Sequence, residues 1–399
     1  MQSRRFLQGC LAMRSLCKCA AWCSMGGLAW TLYDHRSLIN WALPTRYAFP
    51  RAGKVTVTWS RVGTGSSPLP VGRVSAASVS CSGHLFIFGG EADNLSGGDL
   101  PNRYLSDLWQ FTPGVAGQGT WTLRSPDGAP DAPPARVGSS LVHSDGSLIL
   151  YGGIVRDGSG EDIHVADMWS YDLTRSEWRE VTRDSSLRGG PGRLAAHSAA
   201  IVEDATDDMI LFGGSLGDGH EVSDQTWIYS LSTHEWSPLG ATFHPGKRNF
   251  HTAVAVPGSA EFKVWGGIDD PSVWSFDLKT RAWSRADSGL GYASGRSGAF
   301  FQGMLLSFGG FALEGGAGRV TYSNCLQWRA PSGDGSWAEA TLLGGAAPEG
   351  RCFASFASIG GRLYMFGGFR RRDDPEDPGE RLSDLWQLHI QQSGAEHVA

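Results

Sequence analysis

No long stretch of this sequence carries apolar residues at the 3.6-residue period of an amphipathic helix, so helices can form only a minor part of the fold. Charge is sparse. Charged residues make up 19% of the chain, and the formal net charge is −6 with both signs interspersed. No basic face asks for nucleic acid or an anionic membrane as partner. Cysteine is lacking where a disulfide framework would need it. Cys10, Cys17, Cys19 and Cys23 crowd the start, while Cys81, Cys325 and Cys352 are scattered without framework spacing. The Cys17–Cys19 pair has no histidine or second spaced cysteine pair nearby, which argues against zinc. Catalytic signatures are missing as well: there is no GxSxG, no P-loop and no HExxH.

What is abundant is glycine, at 55 residues, and tryptophan, at 16. Many glycines imply many tight turns, and many tryptophans imply a packing position used repeatedly. Six segments end in a hydrophobic run and a glycine pair: Gly89–Gly90, Gly152–Gly153, Gly213–Gly214, Gly266–Gly267, Gly309–Gly310 and Gly367–Gly368. After each pair comes a loop and a tryptophan: Trp109, Trp169, Trp227, Trp274, Trp328 and Trp386. About ten residues later a second tryptophan follows in five units, at Trp121, Trp178, Trp236, Trp283 and Trp337.

Each unit reads as four strands. The first is rich in small residues, the second runs into the glycine pair, and the third and fourth carry one tryptophan each. Repeats of four short antiparallel strands predict an all-β, six-bladed β-propeller. Small side chains suit the crowded inner strands, and tryptophans suit the widening wedge between blades. The sixth unit lacks its fourth strand. The isolated stretch "VTVTWSRV" at 55–62 offers one, with Trp59 at the vacant position, and would complete the last blade. The expected organisation is an N-terminal extension over 1–50, the propeller over 51–390 and a short tail over 391–399.

The glycine pairs, the paired tryptophans and arginine-then-small segments such as "KRNFHTAV" resemble the kelch-repeat family over residues 55 to 390. The resemblance implies a protein-interaction scaffold or adaptor. Kelch adaptors use arginines ahead of strand one to bind acidic peptides, so Arg73, Arg136, Arg193, Arg248, Arg296 and Arg351 become candidate partner contacts. The alternative is structural. Asp107, Asp167, Asp224 and Asp384 stand just ahead of strand-three tryptophans and could neutralise the ring. Blades four and five lack that acid, so Arg248 and Arg296 are expected to be the freest. His197 and His251 fall at the family's strand-one histidine position and read as structural. The loop at 369–384, "FRRRDDPEDPGERLSD", reads as solvated.

The functional expectation is therefore a non-catalytic, monomeric interaction module. It needs no cofactor or metal and binds an unidentified protein, through an acidic segment of that partner, rather than nucleic acid. The alternative is a mutarotase-like propeller enzyme acting on a sugar or small acid in an axial pocket. Unpaired cysteines in the repeats favour the cytoplasm. Residues 1–33 hold Arg4, Arg5, Arg14 and Lys18 without an acid, followed by a 15-residue apolar run, Cys19–Tyr33, short for a membrane span. Organelle targeting or membrane attachment through this segment is weighed against an unstructured extension.

If strand 55–62 completes the last blade, deleting it should lower the melting temperature sharply or cause aggregation. Unchanged thermal unfolding of the deletion variant would overturn that assignment.

Overall fold

The computed structural model describes residues 54–65, 68–93, 102–115, 117–202, 208–217, 221–267, 272–286, 291, 293–314, 319–329, 336–371, 377 and 379–393. The expectations for residues 1–50 lie outside these. Among the described residues no helix is long and apolar enough to cross a membrane.

Six sheets, each with four antiparallel strands and one with a fifth strand added, make up the β-propeller. Their innermost strands are Ala77–Cys81, Ser140–Ser144, Ser198–Ile201, His251–Ala255, Ser297–Phe301 and Ser355–Ile359, in blades one to six. Each packs beside the next, and the last lies beside the first. Second strands such as "HLFIF" at His84–Phe88 and "MILF" at Met209–Phe212 are buried on both faces. Continuous apolar runs fit that position. The strand Lys54–Arg61 pairs antiparallel with Leu385–Ser393 over its full length, with Trp59 opposite Leu388. Its outer side takes a short parallel strand, Thr341–Leu342.

Two cyclic sets of contacts join the blades. The first is a chain of backbone hydrogen bonds around the axis. Gly138 donates to Ser75, Ala196 to Gly138, Phe250 to Ala196, Gly295 to Phe250, Phe353 to Gly295 and Ser75 back to Phe353, at 2.8–3.4 Å. All six residues have positive φ, between 53° and 65°. For Ser75, Ala196, Phe250 and Phe353 this conformation costs of the order of 1 kcal/mol each and persists because the ring imposes it. The second set is aromatic. The fourth-strand tryptophan of each blade meets the aromatic residue just before the glycine pair of the preceding blade. The pairs are Trp121–Phe366, Trp178–Phe88, Trp236–Tyr151, Trp283–Phe212, Trp337–Trp265 and Trp59–Phe308, with ring centroids 4.9–5.8 Å apart. Trp59 thus takes the place that Trp121 takes in blade one.

One expected tryptophan is displaced. In blade one Trp109 pairs with Ile87, one residue before Phe88. In blade five the corresponding partner, Ser307, pairs with Gln327, and Trp328 pairs with Leu306. A slip of one residue turns a side chain to the opposite face. Trp328 therefore joins the core shared with Val55, Val57 and Trp59 of blade six, and Gln327 stands in the usual tryptophan position.

The glycine pairs are needed because neighbouring backbone passes close by. Gly153 donates its N–H to the Leu194 carbonyl of the next blade at 2.8 Å. Its neighbour Gly152 has φ of +63°, and a Cβ there would sit 2.4 Å from the same carbonyl oxygen. Gly152→Ala should therefore destabilise the protein by about 1–3 kcal/mol in chemical unfolding. Gly158→Ala, with nothing within 4 Å of the added carbon, should change it little. Equal effects at the two sites would contradict the close approach.

Candidate functional site

Strand direction alternates within a blade, so the segment leading into strand one and the connection from strand two to strand three share a face. Among the described residues, that connection rises as a two-stranded ribbon in five blades. The ribbons are Glu91–Asp93 with Asn102–Tyr104, Ile154–Arg156 with Asp162–His164, Ser215–Leu216 with Glu221–Val222, Phe311–Glu314 with Arg319–Tyr322, and Phe369–Arg370 with Glu380–Arg381. Each ribbon stands on its own blade's lead-in segment. Arg136 pairs with Val155 and Ala195 with Ser215, while single bridges join Val74 to Glu91, Ser294 to Phe311 and Cys352 to Phe369.

The candidate arginines divide sharply. Arg73, Arg136, Arg248 and Arg351 are at most 2% exposed. Arg73 grips Asp107 bidentately at 2.7 and 2.9 Å and also donates to the Gly89 and Val71 carbonyls. Arg136 holds Asp167 at 2.7 and 2.8 Å and donates to Gly152 and Pro134. Arg351 holds Asp384 at 2.5 and 3.0 Å and donates to Gly367 and Glu349. Each of these aspartates also accepts the indole N–H of Trp109, Trp169 or Trp386, at 2.6–2.7 Å. Burial alone would raise the Asp384 carboxyl, but the Arg351 bonds hold it below its ordinary value. Arg248 is equally buried and donates to the Gly246 and Gly266 carbonyls at 3.3 Å. Its expected freedom is thus not seen: its fork is turned inward against backbone.

The other two arginines leave the register. Gly152 and Gly153 approach the Leu194 carbonyl as Gly89 and Gly90 approach that of Arg136, so Leu194 holds the buried position in blade three. Arg193, one residue earlier, is exposed. The extra residue between Arg193 and His197 pushes the arginine out of the pocket. The acid changes with it: Asp224 stands one residue too far from Trp227, and Gln225 Oε1 accepts the indole N–H at 3.1 Å. In blade five Ala293 holds the arginine position, because Gly266 faces its carbonyl. Arg296 lies three residues on, level with His197 and His251 at the channel mouth. It reaches outward to Gln327 Oε1 at 2.9 Å and to the Gly291 carbonyl at 3.4 Å. Blades one, two and six thus carry both Arg and Asp, and blades three and five carry neither at those positions.

Ionic contacts link the ribbons of blades six, one and two. Arg381 pairs with Asp93 at 2.7 Å and with the buried Glu91, which Asn102 also contacts. Burial raises the Glu91 carboxyl and Arg381 opposes that shift. Arg156 continues the chain to the Asn102 carbonyl at 3.0 Å, to Asp162 at 3.3 Å and over the Tyr104 ring at 4.4 Å. Arg370 binds Glu349 and Glu380 at 2.6 and 2.7 Å. The loop at 369–384, expected to be solvated, therefore contributes paired and partly buried arginines at both its described ends. Glu91, Asp93 and Glu349 from outside that loop, and Glu380 within it, pair with them.

The inner strands line an axial channel of about 810 Å³. At its lead-in end His197 and His251 bond Ser140 Oγ and Ser198 Oγ at 2.9 and 2.7 Å, wedged against the preceding blade. Burial pushes the His197 imidazole down to about 3 and His251 well below its ordinary value. Among the described residues no group of three His, Cys, Asp or Glu side chains could hold a metal ion. Sequence reasoning missed Leu194, Gln225, Ala293 and Gln327. Part of the signal was present: Ala293 stands 16 residues before the first glycine of its pair, as Arg73, Arg136 and Arg351 do, and Gln225 stands two residues before its tryptophan, as Asp107, Asp167 and Asp384 do.

The Attractin/LZTR1 beta-propeller family matches residues 116–328, more than half of the chain. Host cell factor 2 of Homo sapiens is 23% identical over 379 residues, covering 85% of this chain and 45% of that protein. The Leucine-zipper-like transcriptional regulator 1 homolog of Drosophila melanogaster is 26% identical over 249 residues, covering 59% of this chain and 23% of that protein. The chain therefore spans less than half the length of these curated relatives. The solved structure of YjhT superposes with a TM-score of 0.61 at 14% identity, over 81% of this chain and 98% of that one, a likeness of fold alone. The repeats, the blade packing and the family match together establish that this chain belongs to the Attractin/LZTR1 beta-propeller family and is a kelch-type β-propeller.

Proposed function

We propose that this propeller is a non-catalytic protein-interaction module whose lead-in face receives the partner. The observation that carries the reading is the set of five ribbons raised over one face of a rigid ring. Variable connections on a fixed scaffold are where recognition commonly resides. Ile163 and Glu221, both exposed at ribbon strands, belong to this surface. The buried arginines then act as positioning residues. Arg136, clamped by Asp167, fixes the strand on which the Ile154–Arg156 ribbon stands.

The test compares capture of binding proteins by the wild-type chain, by Ile163→Asp with Glu221→Arg on the ribbons, and by Arg175→Glu with Lys279→Glu on the opposite face. A protein retained by the wild type and the opposite-face variant, and lost from the ribbon variant at unchanged melting temperature, is expected. Loss from the opposite-face variant instead would overturn the face assignment. Capture by neither would overturn the module reading.

The clamp has its own signature. Asp167→Ala strands a buried guanidinium and should cost about 3–5 kcal/mol. Arg136→Leu with Asp167→Gln reproduces the pair found in blade three and should restore most of that stability in urea unfolding. A double variant no more stable than Asp167→Ala would refute the interchange.

A further inference from the structure

We infer that the channel mouth is an anchor pocket for one aliphatic side chain of the partner, of about leucine's size, seated between two phenylalanines of the axial ring and the small residues facing them. The inference rests on the lead-in face being the binding face and names what that face takes.

The axial ring consists of Ser75, Gly138, Ala196, Phe250, Gly295 and Phe353, in blades one to six. Its bonds use backbone alone, and Gly138 and Gly295 show that the position needs no side chain. Phe250 and Phe353 nonetheless hold phenyl rings at φ of 53°, a conformation that glycine adopts without strain. A bulky side chain kept at a strained position, where neighbours have glycine, points to a role beyond the ring.

The two phenyl groups converge across the mouth. They belong to blades four and six, yet meet edge to face at 5.2 Å. Gly295 of blade five makes room for this, because a Cβ there would sit 2.8 Å from the Phe353 ring. Phe311 backs Phe353 at 5.9 Å. In blades one to three the ring carries only Ser75, Gly138 and Ala196. That leaves a pocket of about 180 Å³ beside the phenyl groups, with Val137 and Ile154 also in its lining. Gly138, Ala196 and Phe353 are partly exposed, so the space opens to the face.

Size and charge select the occupant. The pocket is smaller than the roughly 300 Å³ of small-ligand sites, but an apolar cavity of about 150 Å³ already holds one benzene. It therefore takes a single side chain. Among the described residues Arg296 is the one charged group of the lining, and its guanidinium is directed to Gln327 and the Gly291 carbonyl. Burial keeps the imidazoles of His197 and His251 neutral. A charged side chain would lose its hydration there without gaining a counter-charge. An aliphatic one gains burial against two phenyl groups.

The test uses the full chain at pH 7. N-acetyl-leucinamide and N-acetylglycinamide are titrated by NMR and by thermal shift. Saturable binding of the leucine compound is expected, at least tenfold tighter than that of the glycine compound, with movement of the Phe250 and Phe353 ring resonances. Phe250→Gly with Phe353→Gly copies the ring residue of blades two and five, so it should fold and weaken binding tenfold or more. Ala196→Phe copies blade four and should fill the pocket with the same loss. Arg175→Gln, on the opposite face, should bind as the wild type does. No preference for leucine over glycine, stationary phenylalanine resonances, or undiminished binding to a folded pocket variant would overturn the pocket. In the capture experiment the folded glycine variant should lose the partner, and its retention would overturn the occupant. Probe binding is measured without the partner, so an empty pocket and a wrong face are separate results.

Discussion

Six backbone hydrogen bonds around the axis, from Ser75 through Gly138, Ala196, Phe250, Gly295 and Phe353 and back to Ser75, are the constraint on which the other features depend. They bring the inner strands together at one level and set the start of every blade. Each residue must adopt a left-handed conformation to take part, and only two are glycine. The remaining four accept strain because each has one donor and one acceptor fixed by its neighbours. Breaking one link would leave two backbone groups unpaired near the axis, which outweighs the strain of the conformation.

Everything farther from the axis follows from that ring with a radial order. Close in, space is short, so glycine pairs and alanine-rich strands face one another across backbone contacts. Farther out the wedge opens, and a tryptophan from each blade closes it against an aromatic of the blade before. On the lead-in face polar groups are drawn below the surface, and there the arginine–aspartate clamps satisfy them. The clamp tolerates replacement as a pair, as Leu194 with Gln225 shows. A charge removed together with its counter-charge leaves no uncompensated group behind, whereas a half-removed pair does.

The resulting face is not six-fold. Blades six, one and two carry clamped arginines, and their ribbons are joined by Arg381, Glu91 and Arg156. Blades three and five lack the clamp, and at the latter Arg296 turns from the channel mouth into the space that Ala293 leaves open. The electrostatics of this surface thus come from local exceptions to the repeat. A regular ring would have neutralised itself blade by blade. Exceptions that cost buried charge without a visible structural return are where binding is best sought.

The sequence by itself determined the repeat. Glycine pairs and paired tryptophans at recurring intervals specified four-stranded units, the count of such units, and a place for the strand carrying Trp59. Those features are legible because they arise from local geometry: positive φ, close approach and wedge filling each demand a particular residue type at a particular step. The roles of the arginines were not legible. Arg73, Arg136, Arg193, Arg248, Arg296 and Arg351 look alike along the chain, yet only tertiary structure separates a clamped arginine from one pushed to the surface or one turned beside the axis. A shift of a single residue decides the outcome, as it does for Gln327 and Trp328. The reason is that burial and ion pairing depend on which neighbouring blade a side chain faces. That is set by register between segments far apart in the chain.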